Sequence, residues 1–345
     1  MPALLVEVTG LTKHYPIHRG LARQRIGEVK AVDGLDLQIF MGEALGLVGE
    51  SGCGKSTVGR ALLRAVEPTA GQILLHGEGG AVDIARLDRK ALRAVRRRMQ
   101  MIFQDPLASL DPRMTVGEIV AEPLVCFGEG TARQRAARVA ELFTLVGLDP
   151  RRTSSYPHML SGGQRQRVGI ARALALQPDF IVCDEAVSAL DVSVQAQVLN
   201  LLAGLKARFG LTYLFISHDL GVVEHLCDRI AVMYLGRIVE LGDTDAVLRR
   251  PRMPYVEALL ASVPQPDPAI PARPAPIKGE IADPANRPSG CAFHPRCPYV
   301  QDICRREAPP LRDFAPEGAP AHFAACHFVE TLTLAGVAEV EAGQG

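Results

Sequence analysis

The 345-residue sequence predicts an α/β domain with a largely parallel sheet, followed by a small irregular extension rich in Pro and Cys. Three observations carry that expectation. Short apolar runs alternate with amphipathic stretches from Met1 to about Arg250, two of the runs are apolar at nearly every position, and ten of the 25 prolines fall between Pro251 and Pro288. Alternation of this kind marks strands separated by crossover helices, and runs without a polar face belong to strands covered on both sides.

The elements follow in chain order. Leu4 to Val8 reads as a first strand and Ala44 to Val48 as a second, buried one; Thr57 to Val66 reads as a helix. Leu87 to Met99 is an Arg-rich helical stretch whose consecutive Arg96, Arg97 and Arg98 belong to a solvated face. Phe180 to Cys183 and Tyr213 to Ile216 are further strands. After Asp191, the recurrence of Val194, Val198, Leu202 and Leu205 every three or four residues gives a helix one apolar face for the core. The proline-dense stretch marks a linker or an irregular wrapped segment, because helices and central strands do not accommodate such density. Cys291 to His327 holds four of the eight cysteines, and Thr331 to Gly345 reads as a frayed helix or tail.

Composition excludes several functions. Lys plus Arg and Asp plus Glu are 38 each, so no global charge draws the chain to nucleic acid, and the absence of Trp with 5% aromatics argues against a stacking channel for single strands. No run reaches the roughly 18 apolar residues of a membrane span, and the amino terminus lacks a signal-peptide pattern. A reducing compartment follows as the expectation, with the cysteines as thiols or metal ligands.

The chemistry is concentrated in two places. Gly49, Glu50, Ser51, Gly52, Cys53, Gly54, Lys55 and Ser56 fit the pattern G-x-x-x-x-G-K-[ST] between an apolar strand and a helix, with Thr57 next. Glycines let the loop curl so that successive N–H groups face phosphate oxygens, the helix start adds partial positive charge, and Lys55 adds a full one. Ser56 supplies a hydroxyl suited to Mg²⁺. The run Phe180 to Cys183 ends in Asp184 and Glu185 at the carboxyl edge of the sheet, so that one acid can serve the metal and the other polarise a water. Ser161, Gly162, Gly163 and Gln164 open a second helix with N–H donors of the same kind.

With these motifs in hand, the first 250 residues or so resemble the ATP-binding subunits of ABC transporters, a P-loop NTPase fold of the ABC ATPase type. The resemblance implies Gly49 to Ser56 as Walker A, Ile181 to Asp184 as Walker B, and Glu185 as the catalytic carboxylate. Leu160 to Gln164 is then the signature, which acts on the partner subunit's nucleotide. Gln104 matches the glutamine loop and a Mg²⁺ or water contact, Asp191 the D-loop, His218 the switch histidine, and Tyr15 the adenine-stacking aromatic. After Glu185 the sequence has Ala186-Val187 where Pro-Thr is frequent. The implied cofactors are ATP and Mg²⁺.

Phe103 to Pro106, Ser109 to Arg113, Glu185 to Ser193 and the C-terminal segment, with His294-Pro295-Arg296-Cys297-Pro298, are similar to the ATPases of dipeptide and oligopeptide importers. That resemblance implies an ATPase domain over 1–255, with a helical subdomain over about 90–165, and an extension over 256–345. It implies a paralogous ATPase partner (or a second copy), two membrane permease subunits and, indirectly, an extracytoplasmic peptide-binding protein, at the cytoplasmic face of the membrane. Other cargo (nickel, glutathione), export, and a soluble non-transport ATPase are the alternatives. Cys291, Cys297, Cys304 and Cys326 are spaced too widely for paired zinc knuckles, and are read as ligands of a 4Fe–4S cluster, with zinc second and bare thiols third; His294, His322 and His327 are substitute ligands.

Overall fold

A computed structural model of the chain describes residues 3–20, 24–262, 279 and 282–337. Two sheets organise it. Strands β1 (Leu4–Arg19), β2 (Gln24–Phe40), β4 (Ala70–Leu75) and β5 (Val82–Asp83) form an antiparallel sheet in the order β2-β1-β4-β5. The second sheet has eight strands. Its parallel centre is β9 (Arg229–Tyr234), β3 (Ala44–Val48), β8 (Thr212–Ser217), β7 (Phe180–Asp184) and β6 (Met99–Ile102), and β10 (Arg237–Asp243), β12 (Phe323–Ala324) and β11 (Arg312–Asp313) extend it antiparallel beyond β9.

Strand alternation sorts the core into two layers. Leu45 and Leu47, Phe180 and Val182, Leu214 and Ile216 point toward the antiparallel sheet and helix α1 (Lys55–Leu62). Ala44 and Val48, Ile181 and Cys183, Tyr213 and Phe215 point to the opposite face. That face is covered by α3 (Val116–Cys126), α4 (Ala132–Leu145), α5 (Gly162–Leu174), α6 (Val192–Phe209) and α7 (Leu220–Leu226). Three of the four strands read from sequence are central to the parallel sheet, while Leu4 to Val8 falls in β1 of the antiparallel one; at the middle of β3, Gly46 is required because a side chain there would strike Val223 at 2.5 Å.

Several expectations are corrected. The first strand runs to Arg19 and pairs along nearly its whole length with β2, a strand the sequence reading passed over. Helix α1 stops at Leu62, with Arg64 in the left-handed region at φ 48°. Helix α2 (Arg89–Arg96), capped by Asp88, is shorter than Leu87 to Met99, because Met99 already belongs to β6. Within the proline-dense stretch, α9 (Pro254–Ala261) follows α8 (Thr244–Arg249) and is buried; Pro254 occupies the first turn, where its missing N–H removes no helical bond. Thr331 to Val337 is irregular and its last N–H donates to the Leu248 carbonyl, while 338–345 lie outside the described residues. Among the described residues no helix is long and apolar enough to cross a membrane.

The C-terminal segment is built into the second sheet. β12 pairs with β10 at Glu240 and Leu241. Beneath that pairing the fully buried Glu240 accepts from the N–H groups of Arg252 and Met253 and meets His322 Nε2 at 2.7 Å. Burial pushes the Glu240 carboxyl up, and His322 is the strongest opposing influence. Asp33 in the middle of β2 takes Arg287 at 2.5 Å and Arg237 at 2.8 Å, which ties the same segment to the antiparallel sheet.

Candidate nucleotide site

The site lies where the parallel strands end. β3 delivers its chain into the loop Gly49 to Gly54, and both ends of that loop demand glycine. Gly49 has φ 150° with the Met233 carbonyl 2.2 Å from where a Cβ would stand, and Gly54 has φ 111° with the Ala31 carbonyl at 2.0 Å. Lys55 is 4% exposed, and its ammonium donates to the carbonyls of Gly49 at 2.7 Å and Glu50 at 2.9 Å. Cys53 is buried beneath the loop, where burial raises its thiol pKa. Ser51 and Gly52 are exposed at the loop's tip, and Thr57 lies in α1 behind it.

Two strands away, β7 ends at Asp184, and Ser56 donates its hydroxyl to Asp184 Oδ1 at 2.7 Å. Asp184 is 1% exposed; its Oδ2 has no hydrogen-bond partner and stands 3.6 Å from Arg60. A hydroxyl against a buried carboxylate with one unspent oxygen is a donor set of the kind that Mg²⁺ takes. Arg60, one turn into α1, is a neighbour the sequence reading missed; its place one turn after Ser56 was the available signal.

Glu185 follows in a left-handed backbone conformation, φ 47°, which is costly for a residue with a side chain and aims it away from the strand direction. Gln104, just beyond β6, donates its amide to Glu185 Oε2 at 2.7 Å, and His218, just beyond β8, brings Nδ1 to 3.5 Å from Oε1. Strand ends β6, β7 and β8 thus gather the glutamine, the acid and the histidine at one place. Gln104 faces Glu185 in this arrangement, while Asp184 meets Ser56 and Arg60.

The second helix start is real as well. Ser161 caps α5, accepting from the Gln164 N–H, while Gln164 Oε1 accepts from the Ser161 N–H at 3.1 Å; Ser161 and Gly162 are exposed. Gly163 needs its hydrogen, since a Cβ would meet Val194 at 2.5 Å. Asp191 precedes α6, and Val192 beside it is 81% exposed. Tyr15 stands on β1 opposite Val29, two residues from the Ala31 carbonyl that abuts Gly54, and is 38% exposed with the Lys13 ammonium 4.8 Å from its ring centre. Beside Gln104 a cleft of about 1010 Å³ opens, lined by Phe103, Met114, Ile119, Phe127 and Arg172 among others.

The cysteine expectation is corrected in part. Cys291, Cys297, Cys304 and Cys326 do line one small cavity, with His294 and His327, whereas His322 is engaged by Glu240 instead. Yet among the described residues no group of three or more His, Cys, Asp or Glu side chains is placed to hold a metal ion. Burial in this apolar lining pushes the Cys297 thiol up to about 12 and Cys326 to about 11, so these groups are neutral. All eight cysteines are free.

Comparisons with known proteins place the chain. The ABC transporter family profile matches residues 32–188, and the oligopeptide/dipeptide transporter C-terminal region matches 239–304. A probable peptide ABC transporter ATP-binding protein of Sinorhizobium fredii is 53% identical over 95% of this chain and 90% of its own length. The oligopeptide transport ATP-binding protein AppF of Bacillus subtilis is 49% identical over 94% and 97%. Among solved structures, the dimeric ATP-binding cassette MJ0796 bound to ADP and phosphate is 29% identical, with a TM-score of 0.61 over 70% of this chain and 99% of that one. The chain therefore belongs to the ATP-hydrolysing, ATP-binding subunits of ABC transporters, in the group that carries the oligopeptide/dipeptide transporter C-terminal region.

Proposed function

We propose that this subunit hydrolyses ATP to power import of peptides through two partner membrane subunits, working at the cytoplasmic face as one of a pair of ATPases. The observation that carries the reading is the convergence of Ser56, Asp184, Glu185, Gln104 and His218 on the mouth of the P-loop. Ser56 and Asp184 would hold Mg²⁺, which when bound neutralises charge on the phosphates. Lys55 and the loop amides bind the triphosphate, Glu185 takes the proton of the attacking water, and His218 orients at its side.

The partner nucleotide falls to Ser161, Gly162, Gly163 and Gln164, with Asp191 at the same interface. A paralogue is the preferred partner and a second copy the alternative. The relatives named for peptide transport, matched along nearly the whole chain, support peptide as cargo. The cleft beside Gln104 suits a helix of a permease subunit, because its apolar lining of Phe103, Met114 and Phe127 adjoins the glutamine that touches the catalytic acid. An ATPase domain over 1–255, with a helical subdomain over about 90–165, and an extension over 256–345 remain the organisation we infer. For the cysteine cavity the finer proposal is a 4Fe–4S cluster. Four thiols around one cavity support it; the thiols must turn inward to serve, since none of the described groups already has metal-binding geometry.

The test is reconstitution of the subunit with its ATPase partner and two permeases in vesicles. ATP-dependent peptide uptake, stimulated by a peptide-loaded binding protein, is expected; ATP turnover without uptake of any peptide overturns the cargo. Iron and acid-labile sulfide analysis of anaerobically purified protein decides the cavity, where about four of each per chain supports a cluster, and stoichiometric zinc or no metal rejects it.

A further inference from the structure

The second residue of the P-loop is anchored from the far end of the chain. Arg296 extends both terminal nitrogens to Glu50, Nη1 to Oε2 at 2.7 Å and Nη2 to Oε1 at 2.8 Å, across 246 positions of sequence. The pair is poorly exposed, with 6% of the arginine and 19% of the glutamate side chain accessible. Glu50 is held at its other atoms too: its N–H donates to the Tyr255 hydroxyl at 2.9 Å, and its carbonyl accepts from Lys55 at 2.9 Å. Tyr234, Tyr255 and Phe293 pack as an aromatic trio with ring centres 4.6 to 5.5 Å apart, and the Arg296 guanidinium lies about 6 Å from two of those rings.

The placement of Arg296 is set by the cysteine loop. From Cys291 to Cys297 the chain makes successive turns, His294 N–H to Cys291 O and Arg296 N–H to Phe293 O, which sink Phe293 into the core and lay Arg296 on the P-loop. Cys291 and Cys297 at the ends of that loop line the four-cysteine cavity.

A bidentate pair of this geometry does two things to a phosphate-binding loop. It cancels a carboxylate whose charge would otherwise repel a triphosphate at close range, and it fixes the loop's first turn so that less freedom is lost on binding. We propose that Arg296 is a positioning residue of the ATP site, so that nucleotide affinity depends on the folded C-terminal cysteine lobe. This rests on the reading of Gly49 to Ser56 as the ATP-binding loop.

The experiment measures Mg-ATP binding, KM and kcat on the full-length chain, comparing wild type with Arg296→Ala, Arg296→Lys and the double variant Glu50→Gln/Arg296→Ala. The expected result is a rise in Kd and KM of about tenfold for Arg296→Ala, within the range usual for coupling between sites, with kcat within about twofold. Arg296→Lys falls between. The double variant regains most of the lost affinity, because it removes the charge left unpaired, and a role in folding alone would not be rescued that way. Affinity in Arg296→Ala within twofold of wild type overturns the proposal, as does a double variant no better than the single one. If Arg296→Ala does not fold, Arg296→Lys decides: a KM raised severalfold at wild-type thermal stability supports the coupling, and an unchanged KM rejects it. A wild type that bound no Mg-ATP would instead overturn the reading of the loop itself.

Discussion

Two helices in this molecule open on a turn built for anions, and they are finished to different degrees. At the start of α1 the turn is enclosed: Gly49 and Gly54 lie against the carbonyls of Met233 and Ala31, Lys55 is buried, and Glu50 is pinned by Tyr255 and Arg296. At the start of α5 the turn is held by its own capping box, and Ser161 and Gly162 are open to solvent. Burial of the first makes a phosphate site within one chain. Exposure of the second offers donors whose ligand must arrive on another molecule, which is why a shared site between two subunits is the economical reading of the pair.

The largest effect expected from breaking this arrangement is at the acid between the two. Glu185→Gln removes the proton acceptor while leaving Ser56, Asp184 and Lys55 in place, so turnover should fall about a hundred- to ten-thousandfold with Mg-ATP binding retained. Steady-state hydrolysis beside equilibrium binding checks it, and wild-type turnover would remove Glu185 from its role.

The next effect separates the two helix starts directly. Lys55→Ala should weaken ATP binding to the isolated subunit by tenfold or more, since a buried ammonium at the loop is lost. Ser161→Arg should leave that binding within about twofold and abolish ATP-driven pairing, read by light scattering with the hydrolysis-deficient Glu185→Gln background. Equal loss of monomer binding in both variants would show that the two turns do not divide the work.

The same contrast explains what could be read from sequence. Motifs that bind phosphate through backbone N–H groups need glycines at fixed offsets, so Gly49, Gly54 and Gly163 announce their places in one dimension. Asp184, Glu185 and His218 were legible because each lies at the end of a strand that the apolar runs predict, and strand ends share an edge, whereas Gln104 was legible only through the family resemblance, because no apolar run announced β6 before it. Arg296, Tyr255 and Arg287 act by contacts across more than two hundred residues, and no local pattern encodes such a distance. The long strand β2 was overlooked for another reason: its Leu35, Leu37 and Ile39 alternate inward between exposed Gly34, Asp36 and Gln38, so no continuous apolar run marks it. Pro254 shows the converse error, where a composition rule about prolines hid a helix that begins on one.

A smaller effect is expected in pH dependence where the C-terminal segment meets β2. Burial pushes the Asp33 carboxyl up, but hydrogen bonds from Arg237 and Arg287 outweigh it and hold the group at about 2. A carboxyl held below its ordinary 3.8 stabilises the fold fully above about pH 4, and that contribution is lost as pH falls toward 2. Arg287→Met should therefore lower the thermal midpoint by a few degrees at pH 6 to 7, and the gap to wild type should narrow below pH 4. Calorimetry across that range checks the sign; a gap that widened in acid would mean that Asp33 is not the group that Arg287 stabilises.

The smallest effect concerns the far end of the enclosed site. Tyr15 is half exposed on β1, two residues in register from the Ala31 carbonyl that closes on Gly54, and its ring has Lys13 near one side. A purine stacked on that ring would add the attraction of an offset aromatic pair, about 0.5 to 1.5 kcal/mol, which corresponds to roughly a two- to tenfold change in affinity. Tyr15→Ala should weaken ATP by that factor, and Tyr15→Phe should not, because the phenolic hydroxyl has no part in stacking. Inorganic tripolyphosphate supplies the control, since it engages Lys55 and the loop amides but has no base to stack. Its binding should be the same in wild type and Tyr15→Ala; if tripolyphosphate weakened as much as ATP, Tyr15 would be acting on the loop through β2 and not on the base.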